Sequence, residues 1–250
     1  MQTQSAVELF IRRICSRSVL TEQEIDALST LSGRMVVAPR GDDLVLPGHA
    51  VTYSTLVVRG LLARFDQMAD GKRQITALHI PGDMADLHSL PSPMPAWGIQ
   101  ALVPSTVLQV PHSSLERLLS AFPNLTLAFW RDTVVDASVL AKWTANIGRA
   151  DAMTRTAHLL CELGVRMEAQ GLASRTNFPV AFTQAQLADA LGLTTVHINR
   201  TIAALRVACG LLIEKGRVGI QDWNRLASHA NFDASYLFVD LPDSAGQSYQ

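Results

Sequence analysis

The sequence is poor in cysteine, and its few cysteines are widely separated. Its 250 residues include three, Cys15, Cys161 and Cys209, which form no CxxC pair. This spacing argues against a disulfide framework and against a zinc site. Three thiols are also one fewer than the four that usually hold an iron–sulfur cluster. We therefore expect buried, reduced thiols and no iron–sulfur cofactor.

Long apolar runs are also absent. No stretch approaches the roughly 20 apolar residues that a membrane span needs, and the early letters IRRIC are not followed by the apolar run of a signal peptide. Hydrophobic residues make up 48% and charged residues 17% of the chain, which is typical of a folded protein. We expect a cytoplasmic protein with no membrane partner, long enough for two modest domains.

The formal net charge is only -1, but the charge is unevenly distributed. Residues 149–228 contain nine Lys and Arg and six Asp and Glu, a net charge of +3. Residues 1–148 sum to -1 and residues 229–250 to -3. A local basic excess favours DNA binding, because a nucleic acid contacts one face of a protein and not its whole surface.

The first half of the chain has the sequence pattern of a β structure. Short β-rich runs between Met35 and Val110 are separated by the turn signals ADGK and PGD, and ARFDQMADGKRQITALHI predicts a hairpin. This pattern is typical of an antiparallel roll or barrel. Before it, Thr21 and Glu24 predict a capping box at the start of a short helix.

A long helix is predicted after the β-rich part. Pro123 suits the first turn of a helix from about Asn124 to Ile147, and Gly148 suits its end. Small or apolar residues recur on this helix at steps of three and four, as in the seam of a two-stranded coiled coil. The predicted dimer interface consists of Leu127, Trp130, Val134, Ala137 and Ala141.

Packing of the long helix on its own domain is an alternative to self-association. Leu140, Trp143 and Ile147 form a second stripe on the same helix. Because the two stripes lie on different faces, one helix can pack on its own domain and also pair with a second copy.

The segment TQAQLADALGLTTVHINRTIAALR, from Thr183 to Arg206, predicts two helices joined by a tight turn at Gly192. A second capping box opens the first helix, and Thr194 can cap the second. The predicted buried face of the second helix consists of Ile198, Ile202 and Leu205. This is the pattern of a helix-turn-helix, whose second helix enters the major groove of DNA.

The residues opposite that buried face have the chemistry of base readout. Arg200 can donate two hydrogen bonds to guanine, and Asn199 can pair with adenine. Val196 or the methyl group of Thr195 can contact the methyl group of thymine. We therefore predict that Thr195, Val196, Asn199 and Arg200 face the groove.

Other residues of the segment are expected to contact the DNA backbone. Thr183 and Gln184 begin the first helix, where amide groups favour phosphate. His197 is expected to be partly exposed and to contact phosphate or a neighbouring side chain. The alternatives are an ordinary helical pair and an interaction module that binds no DNA. Downstream, LLIEKGRVGIQDWNRL predicts a small hairpin or wing.

Together these segments resemble the CRP/FNR superfamily of transcription regulators, named after the cyclic-AMP receptor protein and the fumarate–nitrate reduction regulator. The resemblance spans roughly residues 20–240. It depends on DGKRQITALHIPGD, the long helix, LADALGLTTVHINRTIAALR and VGIQDWNRLASHANFD. The branch that it is most similar to has a His-x-Asn-Arg sequence in its recognition helix, here His197, Asn199 and Arg200.

The resemblance implies an α+β protein whose N-terminal antiparallel β-roll is cyclic-nucleotide-binding-like, a cupin-like jelly roll. We assign residues 1–122 to this sensory roll, 123–148 to a long dimerisation helix, 149–240 to a winged helix-turn-helix and 241–250 to a tail.

The implied partners are double-stranded DNA with a palindromic site and a second copy of the chain. RNA polymerase is a further candidate partner, and no surface for it has a recognisable signature. Arg200 matches the guanine-reading arginine of the family. Val196 stands where many relatives have a glutamate, which predicts a different half-site preference.

The resemblance also raises the question of a cyclic nucleotide ligand. Asp86 can supply a carboxylate for a ribose, although it is shorter than the family's glutamate. No Lys or Arg occurs between Arg73 and Arg117, so an anion held there would lack local positive charge. Three prolines also remove amide donors from this loop: Pro91, Pro93 and Pro95. We expect that cyclic nucleotide is not the natural ligand; a cyclic-nucleotide-dependent regulator is the alternative.

Other effectors stay open. Met84, Met94 and Trp97 can contact an apolar small molecule, and with Asp86 they form the candidate effector pocket. A packed loop and control by abundance alone are the alternatives. A cupin-like metalloenzyme would need a cluster of His and Glu, whereas the seven histidines are scattered. We therefore expect no enzymatic activity, no metal site and no obligatory cofactor.

Overall fold

The computed structural model describes residues 2–180 and 182–239. Two antiparallel sheets near the N-terminus form a β-roll. Its strands are β1 (Arg34–Ala38), β2 (Asp43–Val45), β3 (Tyr53–Arg59), β4 (Leu62–Gln67), β5 (Arg73–His79), β6 (Gly98–Ala101) and β7 (Ser105–Pro111). One sheet has the order β1-β7-β3 and the other the order β2-β6-β4-β5. The predicted hairpin is confirmed as β4 and β5, with Leu62 opposite His79.

Two helices precede the roll, α1 (Gln2–Cys15) and α2 (Glu22–Ser29). The capping box of Thr21 and Glu24 is present at the start of α2, as predicted. The sequence reading did not anticipate α1, which buries Phe10 and Ile14 against the roll. The prediction of three buried thiols was wrong for Cys15, because this residue lies beside Ile14 on the outer side of α1 and is exposed.

Helix α3 (His112–Ala121) leads into α4 (Pro123–Arg149), which confirms the predicted long helix. Its 27 residues give a length of about 40 Å. The face that packs on the rest of the chain contains Leu125, Ala128, Phe129, Asp132, Val135, Val139 and Trp143. Of the predicted second stripe, only Trp143 belongs to this face. Leu140 and Ile147 lie at its margin and are 38% and 37% exposed.

The C-terminal half contains α5 (Ala152–Ala169), β8 (Asn177–Pro179), α6 (Gln184–Leu191), α7 (Thr195–Cys209), β9 (Leu211–Glu214), β10 (Arg217–Ile220) and α8 (Trp223–Ala230). β9 and β10 form the predicted wing, and β8 pairs with β10 on the other side. Lys215 and Gly216 both have positive φ angles, 50° and 72°, as a two-residue hairpin turn requires. The predicted tail, residues 241–250, lies outside the described residues.

A buried ion cluster joins the N-terminal helix to the roll, to α4 and to α5. Arg13 donates to Asp83 at 2.5 Å and to Asp132 at 2.8 Å. Arg166 donates to Asp83 at 2.6 Å and to Glu162 at 3.2 Å. Burial alone would raise the pKa of Asp83, but Arg13 and Arg166 hold this pKa below its ordinary value. The four elements are therefore connected by paired charges away from water.

No helix within the described ranges is long and apolar enough to cross a membrane.

Candidate nucleic-acid interface

Helix α6 begins and ends with the residues that the sequence predicts. Thr183 Oγ1 accepts from the amide of Gln186 at 3.2 Å, and the Gln186 side chain accepts from the amide of Thr183 at 2.8 Å. This reciprocal pair is the predicted capping box. Gly192 ends the helix with φ 62°, the left-handed conformation that glycine adopts at little cost. The chain can therefore turn sharply into α7.

Helix α7 buries one side and leaves the other open. Thr194 caps it by accepting from the amide of His197 at 3.2 Å. Ile198 and Leu205 are fully buried, and Ile202 packs against the same core while partly exposed. The predicted buried face is therefore confirmed, and it fixes which residues point outward.

The outward face of α7 carries the predicted base-reading residues. Thr195, Val196, His197, Asn199 and Arg200 are all exposed, and Val196 is 60% exposed although apolar. Within residues 2–180 and 182–239, the Arg200 side chain has no hydrogen bond or ion pair. Its five N–H donors are therefore available to an external acceptor.

An open groove of about 650 Å³ lies beside this face, between α6, α7 and the wing. Thr183, Gln184 and Asn199 line it, as do two cations that the sequence analysis missed, Arg206 and Lys215. Lys215 occupies the wing turn, and Arg206 lies one turn beyond Ile202. Two signals in the sequence could have identified them: Lys215 belongs to the Lys-Gly turn, and Arg206 lies on the outward face of α7.

The exposed face of α4 is apolar. Leu127, Trp130 and Val134 are 48%, 66% and 47% exposed. Ala137 and Ala141 continue the same row and are also exposed. All five residues of the predicted dimer seam thus lie together on the side of α4 that points away from its own domain. Large exposed apolar side chains in one row are typical of an association surface.

A cavity of about 340 Å³ lies between β4, β5 and α4. Met84 and Trp97, two of the four predicted effector residues, line it. Arg64 also lines it and was not predicted, because it lies on β4, before the loop after Arg73 where a cation was expected. Its guanidinium donates to Asp136 at 2.9 Å and lies 5.3 Å from the centre of the Trp97 ring.

The other two predicted effector residues do not line this cavity. Asp86 is fully buried and accepts from the backbone amide and the hydroxyl of Thr55. Burial raises the pKa of Asp86 to about 6, although the hydrogen bonds from Thr55 act in the opposite direction. Met94 lies on the surface, 63% exposed. The structure therefore brings together Met84 and Trp97 but separates Asp86 and Met94 from them.

Carboxylates line the cavity beside the Arg64 guanidinium. Asp66, Asp132 and Asp136 all line the wall. Burial alone would raise the pKa of Asp136, but Arg64 and other cations hold it below its ordinary value, so Asp136 is charged at neutral pH. Burial lowers the pKa of His88 to about 4, and this neutral ring accepts from the Trp97 indole at 2.9 Å. In the described part of the chain, no group of three or more His, Cys, Asp and Glu is placed to hold a metal ion.

Comparison with known protein families agrees with this arrangement. Residues 35–122 match the cyclic nucleotide-binding domain family, and residues 154–229 match the Crp-like helix-turn-helix domain family. The first range covers nearly all of the roll and α3, and the second covers nearly all of the segment from α5 to α8.

Relatives of known function match over most of the chain. The anaerobic regulatory protein of Haemophilus influenzae is 23% identical over 216 residues, which cover 86% of this chain and 84% of the relative. The fumarate and nitrate reduction regulatory protein of Escherichia coli K12 is 25% identical over 221 residues, 88% of each chain. Both relatives are named as regulatory proteins.

The fold is shared with a solved structure, FixK2 from Bradyrhizobium japonicum. The TM-score is 0.71 at 24% identity, over 79% of this chain and 97% of FixK2. The roll, the helix-turn-helix and these relatives together place the chain in the CRP/FNR superfamily of transcription regulators, with the helix-turn-helix as its DNA-binding domain.

Proposed function

We propose that this protein is a homodimer that reads a palindromic DNA site with the N-terminal turns of α7. The observation that carries the proposal is the guanidinium of Arg200 on the outward face of that helix, which is exposed and has no partner among the residues that the structure describes. A guanidinium with free donors can form two hydrogen bonds to O6 and N7 of a guanine. We assign this contact to Arg200, an adenine contact to Asn199 and a thymine-methyl contact to Val196 or Thr195.

Phosphate contacts position the helix in the groove. Thr183 and Gln184 at the start of α6 are assigned to one phosphate, and Arg206 and Lys215 to others along the groove between α7 and the wing. His197 lies at the edge of the same surface and is assigned to the backbone. Only the contacts of α7 would then distinguish one base sequence from another. We further propose that the bound dimer acts on RNA polymerase.

The apolar exposed face of α4 supports pairing through this helix. Two recognition helices on a palindrome must be about 34 Å apart, and a twofold axis along a shared pair of α4 helices would fix that distance. Burying a side chain such as Trp130 contributes roughly 1.5–3 kcal/mol per copy relative to leaving it in water.

Sedimentation velocity tests the pairing. Val134→Glu places a charge in the seam of both helices, so we expect the dimer to weaken by at least about 100-fold, roughly 3 kcal/mol. Val19→Glu is the matched control, because Val19 is 93% exposed and lies outside α4. A Val134→Glu protein that sediments as a dimer like the control would contradict the proposed interface.

We propose that the cavity does not take a cyclic nucleotide. Within the described residues, Arg64 is the one Lys or Arg that lines it, and Asp136 already accepts from Arg64. An incoming phosphate would face Asp66, Asp132 and Asp136 without an unpaired cation to compensate its desolvation. The lining of Met84 and Trp97 supports an uncharged effector with an apolar body, or none.

Calorimetry with cyclic AMP and cyclic GMP tests this part. We expect no saturable binding, and DNA affinity that changes by less than about twofold when either nucleotide is added, since an unbound ligand shifts no equilibrium. Saturable binding of either nucleotide with increased DNA affinity would support the cyclic-nucleotide-dependent alternative instead.

A further inference from the structure

The C-terminal end of α6 is capped by a side chain from the sensory roll. The last carbonyls of a helix have no partner within the helix. Here the Gln74 side-chain amide, on β5, donates to the carbonyls of Asp189 at 2.7 Å and Ala190 at 3.4 Å. Arg155 of α5 donates to the next carbonyl, that of Leu191, at 2.9 Å. The C-terminal end of α6 is thus completed by groups outside α6 and α7.

The other end of α6 also contacts the roll. Gln186, the capping-box residue, donates to the carbonyl of Leu102 between β6 and β7 at 3.1 Å. Between the two polar contacts the apolar core is continuous. Ile75 of β5 belongs to the same buried cluster as Leu187 and Leu191 of α6. The roll therefore holds α6 at its start, along its length and at its end.

These contacts matter because the covalent connection is short and simple. Between the end of α4 at Arg149 and the cap of α5 at Asp151 there is one residue, Ala150, in an extended conformation. One such junction leaves the orientation of the following helices to non-covalent contacts. The turn at Gly192 then transmits the orientation of α6 directly to α7.

We propose that Gln74 is a positioning residue for DNA reading. By fixing α6 against β5, it sets the direction of α7 relative to the dimer axis along α4, and so the half-site spacing that the dimer accepts. This role rests on the homodimer proposed above. Docking leaves the reading face open, since Thr195, Val196, Asn199 and Arg200 stay exposed. Gln74 therefore acts through orientation and not through contact with DNA.

The test measures spacing preference and not only affinity. Fluorescence anisotropy would compare wild type and Gln74→Ala on the duplex that wild type enriches from a random pool, on a single half-site, and on duplexes whose half-sites are moved by one base pair. For Gln74→Ala we expect unchanged half-site binding, roughly three- to tenfold weaker binding to the best palindrome, and a smaller penalty for altered spacing. Unchanged half-site binding also shows that the variant is folded.

Gln67→Ala is the matched control. Gln67 lies on β4 of the same hairpin; its side chain donates to Gly71 and Lys72 and accepts from Arg73, so its contacts stay within the hairpin and do not reach α6. We expect this variant to keep the wild-type spacing penalty. If moving the half-sites weakens binding equally in wild type and in Gln74→Ala, the positioning role is wrong, although the proposed homodimer is still supported. If wild type itself binds one half-site as well as two, the homodimer fails and the positioning role fails with it.

Discussion

Helix α7 and the cavity of the roll each present an arginine, but the two guanidinium groups are in opposite situations. Arg200 is exposed and, in the described part of the chain, has no partner. Arg64 is buried, donates to Asp136 and lies over Trp97. A donor that is already bonded gains little from a new acceptor, whereas a free donor gains a full contact. The arginine that can read a ligand is therefore the one that the fold leaves unbonded.

The same contrast separates the interior charges from those of the DNA-binding face. In the cluster of Arg13, Asp83 and Arg166, each charge has a partner within the protein. On α7 and the wing, Arg200, Arg206 and Lys215 face open space. Interior charges hold the elements together, and surface charges are available to DNA. Three substitutions test this division.

The largest effect is expected for Asp83→Asn. Asp83 is 1% exposed and neutralises both Arg13 and Arg166. Its loss removes the buried charge that the two guanidinium groups share and leaves each with one carboxylate, Asp132 for Arg13 and Glu162 for Arg166, which costs about 3–5 kcal/mol of unfolding free energy. Urea denaturation measures the loss. If the unfolding free energy decreases by less than about 1 kcal/mol, the size typical of an exposed ion pair, the buried charges do not stabilise the fold more than surface charges do.

The next effect concerns Asp86, a buried carboxyl that is bonded to Thr55 and has no ion pair within the described residues. Its pKa is raised from 3.8 to about 6 by burial. Because the folded chain holds the proton more tightly than the unfolded chain, this group costs stability as the pH rises from about 4 to above 6.

Asp86→Asn removes that dependence, since the amide mimics the protonated acid. We expect equal stability of variant and wild type near pH 3, below both pKa values, and a variant more stable by about 3 kcal/mol at pH 7. Unfolding curves at both pH values give the difference, in which all other titrating groups cancel. A variant that is less stable than wild type at pH 7 would show that the carboxylate is favoured in the fold.

The smallest of the three effects is the one on DNA. Arg200→Ala should lose roughly 1–3 kcal/mol of discrimination at one base pair of each half-site, while its unfolding free energy changes by less than about 0.5 kcal/mol. Competition binding with duplexes substituted at each position measures the first quantity. Arg206→Ala is the control, because the loss of a phosphate contact should weaken binding to all duplexes equally. Unchanged preference in Arg200→Ala would mean that another residue reads the guanine.

Elements whose ends are marked by capping or turn residues could be predicted from the sequence. The capping boxes at Thr21 and Thr183, the glycine end of α6 and the Lys-Gly turn of the wing each depend on a few adjacent residues. The exposed face of α7 followed from the spacing of Ile198, Ile202 and Leu205. These signals are short-range, so one sequence contains them.

Features that depend on distant residues could not be predicted. The three residues of β8 are too few to show an alternating pattern, and only pairing with β10 makes them a strand. Arg64 lies on β4, and its partners in the cavity, Trp97 and Asp136, are far along the chain from it. Asp86 was predicted to bind a ligand, but in the fold its carboxylate already accepts hydrogen bonds from Thr55 on β3.

Selection of duplexes from a random pool by the purified protein, without added ligand, tests the central claim most directly. We predict enrichment of a twofold-symmetric sequence with one guanine per half-site and half-site centres about 34 Å apart. The absence of any symmetric sequence, or a symmetric sequence without a guanine at equivalent positions, would contradict a homodimer that reads DNA with Arg200.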